Sequence, residues 1–89
     1  MVFEWDENKN KINVQKHGID FSVARNVFDD PKKRTSPDLR MDYGEDRLKV
    51  IGKIYGTIIS VIFTVRNSVI RIISARKASQ NEREEYNYQ

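Results

Sequence analysis

The sequence contains no cysteine and a single histidine among its 89 residues. That excludes disulfide staples, a thiol nucleophile and thiolate zinc sites, and it leaves too few imidazoles for a dedicated transition-metal cage. Proline and glycine are scarce, at two and four residues, and no glycine-rich phosphate loop or Pro/Gly-rich linker is present. No apolar run approaches the roughly 18 residues of a membrane span. The opening stretch, residues 1–11, lacks the apolar segment of a secretory signal. These absences lead to the expectation of a cytoplasmic protein with no metal, no cofactor and no membrane attachment. What is present suffices for a core. The chain is 38% hydrophobic and 10% aromatic, too apolar for intrinsic disorder, and 1–89 is the length of a single domain.

Charge of one sign is missing from one long stretch. Residues 1–46 hold eight basic and ten acidic side chains, whereas 47–81 hold Arg47, Lys49, Lys53, Arg66, Arg71, Arg76 and Lys77 with no acid at all. Such a segment creates a local positive potential that attracts phosphates or an acidic partner, unless it only keeps a face soluble.

Local signals give the element order. Val2–Trp5 reads as a short strand, and Asp6 as the N-cap of a polar helix, Glu7–Lys16, that ends at His17-Gly18. With Ile12 and Val14 as its main apolar residues, this helix is expected to be only half-anchored. A second helix follows Asp20, with Phe21, Ala24, Val27 and Phe28 on one face and Asp29-Asp30-Pro31 as its stop. Residues 31–46 read as a loop with an edge strand near Arg34–Pro37. From Arg47 to Arg76 the chain is β-branched and apolar, broken at Tyr55-Gly56 and Asn67-Ser68. That pattern predicts a three-strand antiparallel meander. Ala78–Tyr88 closes the chain as a helix. The expected class is α+β, with two N-terminal helices and one C-terminal helix on an antiparallel sheet.

Two-residue turns fix the predicted register. Arg66 faces Val69, Thr64 faces Arg71, Ile62 faces Ile73 and Ser60 faces Ala75; Ile54 faces Thr57, Lys53 faces Ile58 and Ile51 faces Ser60. One sheet face then collects Leu48, Val50, Ile54, Ile59, Val61, Phe63, Val65, Ile70 and Ile72. The other collects Arg47, Lys49, Lys53, Ser60, Thr64, Arg66 and Arg71 among Ile51, Ile58, Ile62 and Ile73. Arg76 falls at the apolar side's rim, and a single bulge would exchange the faces beyond it. Arginine forks and hydroxyls on a rigid sheet suit a phosphodiester. No carboxylate cluster accompanies them, which disfavours a metal-dependent nuclease. RNA cleavage by the substrate's own 2′-hydroxyl asks only for a proton acceptor, a proton donor and positive charge.

Several motifs occur together: W-D-x-x-K at Trp5–Lys9, K-H-G at Lys16–Gly18 with Phe21 beyond, G-E-x-R at Gly44–Arg47, T-x-R at Thr64–Arg66, and I-S-A-R-x-A at Ile73–Ala78 with Glu82-Arg83 and Tyr86 after it. Over nearly the whole chain this combination resembles the BrnT family, toxins of bacterial type II toxin–antitoxin pairs with a RelE-like ribonuclease fold. The resemblance implies translation-inhibiting RNA cleavage. It also implies a BrnA-like ribbon-helix-helix antitoxin, through which alone the protein would reach DNA. The basic face and these motifs together make His17, Lys53, Arg66 and Arg76 candidate catalytic residues, and Arg47, Lys49, Thr64, Arg71 and Tyr86 candidate substrate contacts.

Each candidate has a plainer role beside it. His17 can transfer protons or stabilise the carbonyls at its helix end. Lys53 is a phosphate contact, a general base, or a solvated lysine. Arg71 can cover Ile73 with its stem, and Arg76 can pair with Glu82 or Glu85. Trp5 belongs by default to the core, Tyr86 caps that packing or stacks on a base, and Glu82 orients an arginine or pairs with Arg83. Two rivals to the nuclease use the same basic face: a non-catalytic nucleic-acid-binding module, and a subunit that binds only the antitoxin.

Overall fold

The computed structural model describes residues 1–39 and 46–88; the middle of the loop expected over 31–46, Gly44 and Glu45 included, lies outside the described residues. Strand β1 (Val2–Glu4) leads into helix α1 (Glu7–His17). Asp6 caps α1 by accepting the Lys9 N–H at 3.1 Å, and Gly18, at φ 72°, ends it. A left-handed residue at that position is what glycine tolerates without steric cost. Helix α2 is a single α-turn, Phe21–Ala24, that tightens into a 3-10 segment, Arg25–Asp29. The second N-terminal helix is thus shorter and more tightly wound than the spacing predicts. Strands β2 (Arg34–Pro37), β3 (Leu48–Ile54), β4 (Thr57–Arg66) and β5 (Val69–Lys77) follow, then helix α3 (Gln80–Asn87).

The sheet order is β1-β5-β4-β3-β2. The meander and the β2 edge are antiparallel as expected, but β1 runs parallel to β5, pairing Val2 with Val69 and Glu4 with Arg71. The sheet is therefore mixed rather than antiparallel. Sequence periodicity had no means of pairing the first strand with the last.

One sheet face carries the main core: Val50, Ile54, Ile59, Val61, Phe63, Ile70, Ile72 and Ala75 packed against Phe21, Ala24, Val27 and Phe28. Phe28 meets Phe63 edge-on at 5.0 Å between ring centroids. Gly52 lies in this face because a Cβ there would stand 3.0 Å from both Cβ and the carbonyl oxygen of Val27. Helix α3 covers part of the opposite face, where Ala78 and Tyr86 bury Ile51 and Ile58.

Helix α1 departs from the expected half-anchored element. Ile12 and Val14 are exposed, and two buried asparagines hold the helix instead. Asn10 Oδ1 accepts the Phe21 N–H at 2.9 Å, while its amide donates to Glu7 and Asp20. Asn13 Nδ2 donates to the Ile19 carbonyl (2.9 Å) and the Ala75 carbonyl (2.8 Å), and its Oδ1 accepts the Ala75 N–H (3.1 Å). One amide side chain thus takes both backbone groups of Ala75, beyond the point where β1 stops pairing with β5. It satisfies them as a neighbouring strand would.

A bulge in β5 corrects the predicted register. Thr64 faces Arg71 and Phe63 faces Ile72, but the pairing then shifts, so Ile62 faces Ser74 rather than Ile73, and Ser60 faces Arg76 rather than Ala75. The extra residue moves Ala75 into the core and brings Arg76 onto the basic face, against the expectation that it sits at the apolar rim. No helix among the described residues is long and apolar enough to cross a membrane.

Candidate functional site on the basic sheet face

The bulge places Arg76 of β5 beside Ser60 of β4, with Lys49 of β3 on the next strand. Helix α3 lowers Glu82 among them. Its N-terminus fixes that approach: Ser79 accepts the Glu82 N–H at 3.2 Å and Glu82 accepts the Ser79 N–H at 2.8 Å, a reciprocal capping box. Arg76 Nη1 and Nη2 donate to Glu82 Oε1 (2.6 Å) and Oε2 (3.0 Å). Lys49 Nζ lies 3.1 Å from Oε2, and Ser60 Oγ donates to the same oxygen at 3.2 Å.

Glu82 is 6% exposed. Burial alone would raise its pKa, but the hydrogen bonds from Arg76, the Ser79 N–H and Lys49 outweigh it and hold the carboxyl down at about 2. A carboxylate so acidic is a poor proton acceptor near neutrality, so Glu82 acts as an anchor and not as a base. Arg76 Nη1 also donates to the Lys77 carbonyl at 3.2 Å. The remaining edge of the guanidinium, Nε–H with the second Nη2 hydrogen, has no partner among the described residues and the side chain is 34% exposed. That edge is a two-pronged donor held in one orientation, the geometry that matches a phosphate.

The other predicted site residues separate into groups. Thr64, Arg66 and Arg71 lie toward one end of β4 and β5, with Arg47 just ahead of β3. There the Thr64 hydroxyl is spent on the Asp46 carbonyl (2.8 Å) and Arg71 is 3.7 Å from Glu4. Arg66 is exposed beside the Asn67-Ser68 turn. Lys53 sits at the opposite end: it pairs with Ile58, eight residues along β4 from Arg66, or about 26 Å of strand. Its Nζ lies 5.7 Å from the centroid of the Tyr86 ring. Lys53 and Arg66 are therefore not brought together.

Tyr86 is 5% exposed within the smaller core, so its ring is unavailable for stacking on a base, which corrects its assignment as a substrate contact. Its hydroxyl donates to Asp30 Oδ2 at 2.5 Å, and that bond pushes the phenol up to about 12. Asp30 also accepts the Lys53 and Lys32 N–H groups. Burial favours its neutral form, but these bonds prevail and hold it below the usual carboxylate range. His17 is exposed and lines a groove with Lys9, Ile12, Asn13, Lys16, Ile73 and Ser74. Neither Arg76, Lys49, Ser60 nor Glu82 lines it, so imidazole and guanidinium occupy separate places.

The BrnT family model, described as the ribonuclease toxin of a type II toxin–antitoxin system, matches residues 5–82. The chain belongs to the BrnT family. The match takes in α1, the whole meander and Glu82, and stops before Tyr86. No curated protein matches the chain. BrnT membership makes the protein a ribonuclease toxin by family, and the cluster of Arg76, Lys49 and Ser60 is where the sheet offers the most organised set of donors. Glu82 pairs with Arg76 and Lys49 rather than Arg83, whose guanidinium turns back to the Ala78 carbonyl at 2.8 Å. The pairing of Arg76 with Glu82 is one of the two the sequence offered, and the Ser79–Glu82 capping box fixes it. Asp30, which read only as a helix stop, is the residue the sequence hid best.

Proposed function

We propose that this BrnT chain is the cytoplasmic toxin of a type II pair, a RelE-like, metal-independent endoribonuclease. It cleaves RNA by attack of the substrate's 2′-hydroxyl and thereby stops translation. In that step the 2′-oxygen bonds to phosphorus and the 5′-oxygen leaves. The 2′-proton passes to an acceptor and the leaving oxygen takes one up, giving a 2′,3′-cyclic phosphate and a 5′-hydroxyl. A BrnA-like ribbon-helix-helix antitoxin neutralises the toxin by covering the basic face, and DNA is met only through it.

The observation that carries this reading is the clamped Arg76 guanidinium, with Lys49 and Ser60 beside it. Fixed donors aimed at a phosphate stabilise charge that develops in the transition state without reorganising. Glu82, the cluster's carboxylate, is already shared by two cations, a hydroxyl and a backbone N–H, a donor set that supports metal-free chemistry. Arg66, Arg71 and Arg47 extend the positive face toward a neighbouring phosphate.

The test is incubation of antitoxin-free protein with single-stranded RNA in EDTA, with fragment ends scored. Cyclic phosphate ends are expected. Arg76→Lys keeps the charge but loses the fork, and lowers the cleavage rate about 10²–10³-fold. Intact RNA with salt-sensitive binding would favour a binding module instead.

A further inference from the structure

The groove between α1 and β5 extends the basic face around the edge of the sheet. Its wall is a single stripe of α1, positions 9, 12, 13 and 16, which helical spacing brings to one side, with His17 at the end. Its floor is Ile73 and Ser74, at the bulge where β5 continues past the end of β1. The groove encloses about 190 Å³. Lys9 and Lys16 form no ion pair with a described carboxylate, and the Ile12 side chain is 60% exposed beside them.

The floor leads directly to the candidate cleavage site. Ser74 faces Ile62 and Arg76 faces Ser60, so Ser74 and Arg76 share a face of β5 two residues apart, about 6.6 Å along the strand. Lys9 and Lys16 stand two helical turns apart, about 10 Å along the axis. That spacing serves two phosphates rather than one. Cations spaced along a wall, a hydroxyl on the floor, and Ile12 and Ile73 as apolar surface for sugars or bases together fit a single strand better than a compact anion.

We propose that this groove is a second RNA subsite. In it Lys9, Lys16 and Ser74 hold the sugar-phosphate backbone on one side of the scissile step, and His17 contacts the strand rather than meeting Arg76. The inference rests on the ribonuclease reading and supplies the path of its substrate.

The experiment uses the full chain and a 2′-O-methyl single-stranded oligonucleotide, which binds but cannot be cleaved, with fluorescence anisotropy across a salt series. Lys9→Glu and Lys16→Glu each weaken binding about tenfold, and each lowers the slope of log Kd against log salt by about 0.7. Lys16→Gln lowers the slope equally. Lys11→Glu carries the same charge change outside the groove and leaves binding within about twofold. Equal damage from Lys11→Glu, or wild-type binding by the Lys16 variants, overturns the subsite, as does a wild-type protein that binds no RNA. Cleavage of ordinary RNA is scored in parallel. Cleavage with groove-independent binding sinks the subsite alone, and groove-dependent binding without cleavage sinks the nuclease alone.

Discussion

Replacing Glu82 with glutamine tests the anchor of the site directly. The wild-type carboxylate gathers two bonds from Arg76 and one each from Ser60 and Ser79, with Lys49 at 3.1 Å. Glutamine keeps one acceptor oxygen, turns an amide donor toward the cations, and leaves Arg76 and Lys49 without a counter-charge. Breaking a fully buried pair costs roughly 3–5 kcal/mol. Arg76 and Lys49 are 34% and 25% exposed, and solvent reduces that to about 2–3 kcal/mol. The same contacts hold the Glu82 pKa down from 4.5 to about 2, a shift on the order of 3 kcal/mol. Either value lowers Tm by roughly 10–20 °C in a domain of this size.

The pH dependence has a definite sign. Glu82 is more acidic folded than unfolded, so its contribution is complete above the unfolded value of 4.5 and is lost as pH falls toward 2. The difference between wild type and Glu82→Gln should shrink by more than half between pH 7 and about pH 3. Thermal melts by circular dichroism at both pH values measure it. A variant melting within about 3 °C of wild type at pH 7, or a gap unchanged at pH 3, refutes the reasoning.

Other perturbations probe separate parts of the structure. Asn13→Asp removes both donations to the Ile19 and Ala75 carbonyls and sets a negative charge against them. It should cost about 3 kcal/mol or more, with the Ala75 amide losing hydrogen-exchange protection. Gly52→Ala forces a methyl to 3.0 Å from the Val27 carbonyl and should cost about 1–3 kcal/mol in urea unfolding, with an unchanged m value. Tyr86→Phe removes the bond to Asp30 at a cost of about 1–2 kcal/mol. Because the Tyr86 phenol is less acidic folded than unfolded, its contribution holds below pH 10 and disappears between pH 10 and about 12. The variant and wild type therefore converge in alkali, as melts or tyrosinate absorbance will register.

Much of the fold was legible because local signals agreed. Asp6 and Gly18 bracket α1, the Tyr55-Gly56 and Asn67-Ser68 turns sit at positive φ, and alternation along β3 and β4 assigned the two faces. Two kinds of information were missing. The pairing of β1 with β5 joins the two ends of the chain, which no periodicity encodes, and the groove beside α1 depends on it. The bulge adds one residue without a distinctive composition, yet it decides which face Arg76 occupies. The asparagines carried a readable sign: amides at positions 10 and 13, spaced as helix core residues, stood where apolar side chains were wanted. Charge marked the arginines and lysines of this stretch as candidates, but it could not divide them into three groups along a sheet: Arg76 with Lys49, Arg66 with Arg71 and Arg47, and Lys53 by itself.

The docking of β1 beside β5 sets an order on how the molecule comes into being. Strand β1 has no partner until β5 has been made, and the Asn13 clasp on Ala75 spans 62 positions of the chain. Strand β1 and the Asn13 clasp cannot settle before β5 exists, and Arg76 reaches its setting only when Glu82 follows it out. A chain interrupted before that point lacks the clamp, the groove and the edge that supports them.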